Sequence, residues 1–260
     1  PGALIAPPTR YTMDPTQAET AMTHPTAAML VIGDEILSGR TRDSNLHHLA
    51  GELTQHGIRL MEARVVADDH ADIAAAVNAL RARWDHVFTS GGIGPTHDDI
   101  TADAIAAAFG VGISHRADAM ALLQAHYDRA GLPFNEARQR MARIPDGAAL
   151  IDNPISTAPG FTLGNVHVMA GVPNIFQAMV ASVLPGLTGG APLLSQSLRV
   201  NRGEGEIAGP FGALAAEFPD LSMGSYPFIQ NGAHGTNLVI RGTDAGRIDA
   251  AMTRLCALVA

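Results

Sequence analysis

The sequence predicts an α/β protein: a mainly parallel sheet covered on both faces by helices, followed by a small C-terminal α+β subdomain. Three observations carry this reading. Short apolar runs alternate with helical patterns from residue 27 onward, which implies right-handed βαβ crossovers. A glycine-rich turn, SGGIGPTHDDIT (residues 90–101), joins one such run to an alanine-rich helix. Beyond the Gly/Pro-rich stretch at residues 186–192 the pattern changes to short strands separated by two helices.

Taken in order, residues 1–26 hold five prolines and little periodicity, and are expected to form an extended or disordered leader. Residues 27–32 read as a strand ended by Gly33-Asp34-Glu35. Residues 43–56 read as a helix, with Leu46, Leu49, Ala50 and Leu53 at helical spacing and Gly57 as its stop. A second strand spans 58–66 and turns at Ala67-Asp68-Asp69. The helix at 70–83 buries Ile73, Ala76, Val77 and Leu80, and residues 85–90 form the third strand, entering the glycine turn. Helices follow at 102–109, 117–130 and 135–143, then an irregular, proline-punctuated portion at 144–160. Residues 161–163 and 166–170 pair as a hairpin across Gly164-Asn165. Pro173 suits the first turn of a helix at 175–184. These elements make one domain over 27–186 and a second over 193–260. The latter has strands at 195–200, 221–225 and 236–241, a helix at 204–218 broken by Gly209-Pro210, and a closing helix at 248–258.

Composition narrows the function. The apolar share of 47% and charged share of 16% supply ample core. A net charge of −8 without a basic cluster argues against duplex nucleic acid, and one Trp with three Tyr offers little for base stacking. Cys256 is the only cysteine, so an intrachain disulfide and a thiolate zinc cluster are excluded; it reads as a core residue of the last helix. No apolar run reaches the roughly twenty residues of a spanning helix. A cytoplasmic protein with a small phosphorylated ligand, and with neither nucleic-acid nor membrane partners, is the expectation.

Ligands of open parallel sheets bind beyond the carboxyl ends of the strands. Four turns follow such ends: 33–35, 67–69, 90–99 and Gly171-Val172-Pro173. Together they would bring Asp34, Glu35, Asp68, Asp69, Asp98 and Asp99 beside the N–H groups of Gly91, Gly92 and Gly94. Carboxylates beside phosphate repel it unless a hard cation such as Mg²⁺ or Mn²⁺ intervenes. In this reading Gly33, Ser90, Gly91, Gly92, Gly94, Thr96, Gly171 and Pro173 contact the ligand. Asp34, Asp98 and Asp99 hold metal or position water, and Asp68 with Asp99 does the chemistry. Asp43 and Asp69 read as helix caps, and His47, His48 and His56 as surface groups. His97 is a candidate ligand or base within the key turn.

The strings VIGDEILSGRTRDSN (31–45), TSGGIGPTHDDIT (89–101) and AGVPN (170–174) resemble the molybdopterin-binding domain superfamily. Within it the chain is most similar to the competence/damage-inducible protein A group and to the related domain of eukaryotic FAD synthases. GEGEIAG (203–209) and GSYPF (224–228) resemble the small subdomain that follows there. The resemblance implies a three-layer α/β/α domain and association into a homo-oligomer. It also implies hydrolysis of the pyrophosphate of ADP-ribose, FAD or a related dinucleotide with a divalent metal (Mg, Mn or Co) and K⁺. The alternative it implies is binding of molybdopterin or its adenylated form without hydrolysis. The Asp after the second strand matches Asp68 and that of the glycine turn matches Asp99. Ala67 stands where proline is frequent, and Asn174 where a charged residue is usual.

Overall fold

The computed structural model describes residues 24–230 and 232–259, so the expected leader lies outside it up to residue 23. The chain runs β1 (Thr26–Ile32), α1 (Asp34–Leu37), α2 (Asn45–Gln55), β2 (Arg59–Val66), α3 (His70–Arg81), β3 (His86–Ser90) and α4 (Thr101–Phe109). It continues with β4 (Ile113–His115), α5 (Ala117–Ala130), α6 (Glu136–Gln139), β5 (Arg143–Pro145), β6 (Ala149–Ile151), β7 (Gly160–Leu163), β8 (Val166–Met169) and α7 (Pro173–Val183). After the linker come β9 (Leu194–Val200), α8 (Glu204–Glu217), β10 (Ser222–Gln230), β11 (Ala233–Gly242) and α9 (Ala245–Val259).

Six strands form one sheet in the order β2-β1-β3-β8-β7-β6. The pairs β2–β1, β1–β3 and β3–β8 are parallel, while β8–β7 and β7–β6 are antiparallel. Side chains alternate across a strand, so a central strand must be apolar on both faces. β1 meets this requirement. Ala28, Leu30 and Ile32 pack with residues of α3, α4 and α5, whereas Ala27, Met29 and Val31 pack with α2 and α7. The result is a three-layer α/β/α arrangement. The carboxyl ends of β2, β1, β3 and β8 share one edge because all four run parallel, and this edge carries the four turns singled out by the sequence.

β9, β10 and β11 form a separate antiparallel sheet in the order β10-β11-β9. It buries Leu238 and Ile240 against Ile207, Phe211 and Leu214 of α8 and Ile248 and Leu255 of α9. Among the described residues no helix is long and apolar enough to cross a membrane.

Several elements differ from expectation. The helix expected at 135–143 is only one α-turn plus a 3₁₀ turn, because Arg143–Pro145 leaves it to pair with β4. The irregular portion at 144–160 likewise contributes β6, paired with β7. Pro210 does not break α8: burial of Ile207, Phe211 and Leu214 outweighs its missing N–H. β10 extends to Gln230 through Pro227, which an edge strand tolerates. Cys256 is exposed, since the buried stripe of α9 falls on Ile248, Ala251 and Leu255.

Candidate functional site

The glycine turn is held where only bare backbone fits. Gly91 and Gly92 have φ of +115° and +68°. A Cβ on Gly91 would lie 2.1 Å from the Ile32 carbonyl oxygen, and one on Gly92 would lie 2.1 Å from Thr101 Oγ1. Three hydrogen bonds pin the turn between neighbouring elements. Gly91 N–H donates to Met169 O (3.1 Å), Thr101 Oγ1 to Gly91 O (3.0 Å) and Thr101 N–H to Gly92 O (3.0 Å). The Gly91 N–H is therefore committed to the fold. Those of Gly92 and Gly94 find no acceptor among the described residues.

Further along the turn, Asp99 closes a local loop: its Oδ2 accepts from Thr96 N–H at 2.7 Å and from Thr96 Oγ1 at 2.5 Å. Asp98 beside it is exposed. His97 is fully exposed, with Nδ1 at 3.9 Å from Asp98 Oδ1.

Asp68 comes from the turn after β2. Its Oδ2 accepts from the Asp34 N–H at 3.0 Å, and the Gly33 N–H donates to Val66 O at 3.1 Å, so the turns after β1 and β2 are tied together. Burial pushes the Asp68 carboxyl above the usual value. The negative charges of Asp34, Glu35 and Asp98 push it further, against the opposing Asp34 N–H. A carboxyl perturbed by burial and like charges within a cleft is the signature of a candidate functional group.

These turns bound a cleft of about 560 Å³, within the range typical of small-ligand sites. Gly33, Asp68, Gly91, Gly92, Gly94, Asp98, Asp99, Gly171 and Pro173 all line it. Asp34, Ser90 and Thr96 do not. α1 leaves the Asp34 side chain exposed and out of the cleft lining, while its N–H bonds Asp68 and its charge is felt there. Ser90 is 2% exposed, and its Oγ accepts from Asn45 Nδ2 at 2.8 Å. Thr96 is spent on Asp99. Asp43 and Asp69 cap helices: Asp43 accepts from Asn45 and Leu46 N–H, and Asp69 from Ala71 and Asp72 N–H.

Other lining residues were not singled out by the sequence. Arg40 and Thr41 enter from the segment between α1 and α2, and Asn153 and Ser156 from the loop after β6. Asn153 is buried and shapes that loop, donating to Ser156 Oγ (2.7 Å) and Ala158 O (2.8 Å) and accepting from Ile155 and Ser156 N–H. The same loop holds Thr157 at φ +65°, the one non-glycine positive φ among the described residues. The Asn153-Pro154 dipeptide is the signal that marks this turn. Arg140 lies behind the glycine turn, with Nη2 donating to Asp99 O at 3.4 Å.

Among the described residues no three His, Cys, Asp or Glu side chains lie close enough to hold a metal ion. A cage built from protein alone does not fit. A Mg²⁺-like ion held by one or two carboxylates and completed by ligand phosphates and water does, since the crowded charge around Asp68 would be relieved by a cation.

Comparison with known proteins bears on this geometry. Residues 28–189 match the family described as "Probable molybdopterin binding domain", and residues 192–260 match "FAD synthase, middle domain". A CinA-like protein from Citrifermentans bemidjiense is 41% identical over 167 residues, covering 62% of this chain and 40% of that protein. A probable FAD synthase from Caenorhabditis elegans is 30% identical over 260 residues, covering 90% of this chain and 50% of that protein. The chain thus spans half or less of the length of these two relatives. The crystal structure of the protein CinA, with unknown function, from Thermoplasma acidophilum has a TM-score of 0.58 at 32% identity, covering 62% of this chain and 97% of that one.

Proposed function

The chain belongs to the family of probable molybdopterin-binding domains, as a CinA-like member with an FAD synthase-like C-terminal part, and from that premise we propose a metal-dependent dinucleotide pyrophosphatase. The observation that carries the reading is one cleft where free glycine N–H groups face three carboxylates, Asp68, Asp98 and Asp99. The N–H groups of Gly92 and Gly94 bind phosphate oxygens, and the cationic side chain of Arg40 answers their charge. Asp98 and Asp99 would hold the metal, whose chemistry when bound is to neutralise the phosphates and polarise a phosphoryl oxygen. Asp68, with its raised carboxyl, takes a proton from water at the cleft floor, a role that suits a group poised nearer neutrality than an ordinary aspartate. The substrates in this reading are ADP-ribose, FAD or a related dinucleotide.

A second reading, binding of molybdopterin or its adenylated form without hydrolysis, draws on one feature. Asp99 is already bonded to Thr96 through one oxygen, which suits a fixed scaffold better than a mobile reactive group. Incubation with ADP-ribose and FAD, each with Mg²⁺, Mn²⁺ or Co²⁺ plus K⁺, separates the two. AMP release supports the hydrolase. Its absence under every metal, alongside measurable molybdopterin affinity, leaves the binding protein. The proposal includes a homo-oligomer, which light scattering of the purified chain tests.

A further inference from the structure

The sheet of β9, β10 and β11 has two faces, and the described helices cover one. Leu198, Met223, Leu238 and Ile240 point toward α8 and α9. Side chains alternate along a strand, so the residues between them form the opposite face. Tyr226, Asn237 and Arg199 make one cross-strand row there, and Phe228 with Gly235 lies two residues along. Arg199 is exposed, Tyr226 is 45% exposed, and Asn237 and Phe228 are half-buried. Both aromatic rings rest on bare backbone. A Cβ on Gly235 would stand 2.2 Å from Phe228 Cζ, and one on Gly224 would stand 3.2 Å from Tyr226 Cε2. The Arg199 guanidinium lies over Phe228, 3.8 Å from the ring centroid, and its Nη2 donates to Gln230 Oε1. Arg241 Nη1 donates to the Tyr226 hydroxyl at 3.0 Å.

Charge divides this subdomain in the same way. The open face carries Arg199 and Arg241 and no carboxylate. Glu204, Glu206 and Glu217 belong to α8, Asp220 precedes β10, and Asp244 and Asp249 lie at the start of α9. Partners engage several of them there: Ser225 for Glu204, Arg254 for Glu217, Arg247 for Asp220 and Gln196 for Asp249. The net charge of −8 averages over this division and conceals it.

We propose that this open face binds an extended single strand of nucleic acid, with bases stacked on the Tyr226 ring and on the Arg199 guanidinium, and with phosphates offset by Arg199 and Arg241. Aromatic rings and guanidinium planes are the surfaces on which unpaired bases stack. Residues two apart on one strand stand about 7 Å from each other, a step that neighbouring bases of an unstacked strand can span. A duplex keeps its bases stacked within itself and has no ring face to offer. A second copy laid face to face would bring the arginines of both copies together with no carboxylate between them. Small molecules favour concave sites, whereas this surface is an open sheet. Nothing on it reads the sugar, so DNA and RNA strands should bind alike.

The test titrates the full chain against fluorescein-labelled oligo-dT, oligo-rU and a DNA duplex, read by anisotropy. Both single strands should bind with similar affinity, and the duplex about tenfold more weakly. Two neutralised phosphates predict a slope of about −1.4 in log affinity against log salt. Tyr226→Ala should weaken binding about tenfold, whereas Tyr226→Phe keeps the ring and should match the unaltered protein. Arg241→Gln should flatten the salt slope by about 0.7. Arg254→Ala, on the helical side, should change neither affinity nor slope. If Tyr226→Ala fails to fold, shifts of the Tyr226 ring resonances on adding oligo-dT decide. Absence of binding by both strands at low salt overturns the proposal. So does binding that survives Tyr226→Ala, or an equal affinity for a poly-glutamate peptide, which would reduce the face to a charge patch. A change of oligomeric state on Tyr226→Ala, seen by light scattering, would assign the face to a second copy instead.

Discussion

Two aspartates at opposite edges of the same sheet show how position assigns a task to a residue type. Asp85, at the amino ends of the strands, accepts from the Thr26 N–H (2.8 Å) and Thr26 Oγ1 (2.6 Å), and these bonds hold its carboxyl below the usual range. Asp68, at the carboxyl ends, gains one N–H and is pushed upward by burial and by three acidic neighbours. The first edge satisfies its charges within the fold. The second keeps them crowded around a cleft, a cost that a ligand or cation can relieve.

The largest expected effect separates these edges by function. Asp68→Asn keeps an oxygen for the Asp34 N–H but cannot take a proton, so pyrophosphate cleavage should fall about 10²–10⁴-fold with the fold intact. Asp85→Asn should leave the rate unchanged. Equal losses from both would break the contrast.

Next comes pH. His167 is 4% exposed, lies against Phe88 with ring centroids 4.9 Å apart and planes tilted by 35°, and bonds Thr162 Oγ1 at 3.0 Å through Nδ1. Burial, and then the neighbouring His86, push its pKa down to about 4. The unfolded chain, at an ordinary value near 6.5, binds the proton first as pH falls. Stability is therefore full above about 6.5 and drains away toward pH 4, by about 3 kcal/mol. His86 is shifted down as well and adds in the same direction. Urea unfolding at pH 7 and pH 4.5 checks this, and His167→Gln should flatten the difference.

A smaller change sharpens the view of the glycine turn. Gly92→Ala forces a side chain into φ +68° and against Thr101 Oγ1, and should cost about 1–3 kcal/mol while weakening phosphate binding. Gly110→Ala tests left-handed strain without a clash, for φ is +66° but nothing lies within 4 Å of the added Cβ. It should cost about 1 kcal/mol and leave binding alone.

The smallest effect carries the clearest sign. The folded pKa of Asp68 lies above its unfolded value, so its favourable contribution is present at acid pH and lost as pH rises through the folded value. Asp68→Asn should then raise the melting temperature slightly at pH 7 and leave it unchanged at pH 3. Asp85→Asn should lower it at pH 7, since its folded pKa is depressed. Differential scanning calorimetry at the two pH values reads both signs.

Where local pattern governs, the chain was legible. α5 spans 117–130 as its spacing indicates, with Ala119 and Leu123 buried and Gly131 left-handed at its end. α4 stops at Gly110 for the same reason, and the β7–β8 hairpin turns at Gly164. β4, β5 and β6 escaped notice because three-residue strands have no period of their own and exist only through partners distant in the chain. The cleft divides in the same way. Gly91, Gly92, Asp98 and Asp99 lie in one recognisable string, whereas Arg40, Asn153 and Ser156 are brought beside it by two separate segments.

By itself, then, the sequence determined the alternation of strands and helices, the apolar faces that build three layers, and the backbone freedom of the glycine turn. These depend on residues near one another in the chain. Only the tertiary structure decided that Asp34 and Thr96 stay out of the cleft lining while Glu35 joins it, and that Ser90 serves Asn45. Side-chain direction and hydrogen-bond partnership are set by what the fold packs against each residue, and no spacing along the chain encodes that neighbour.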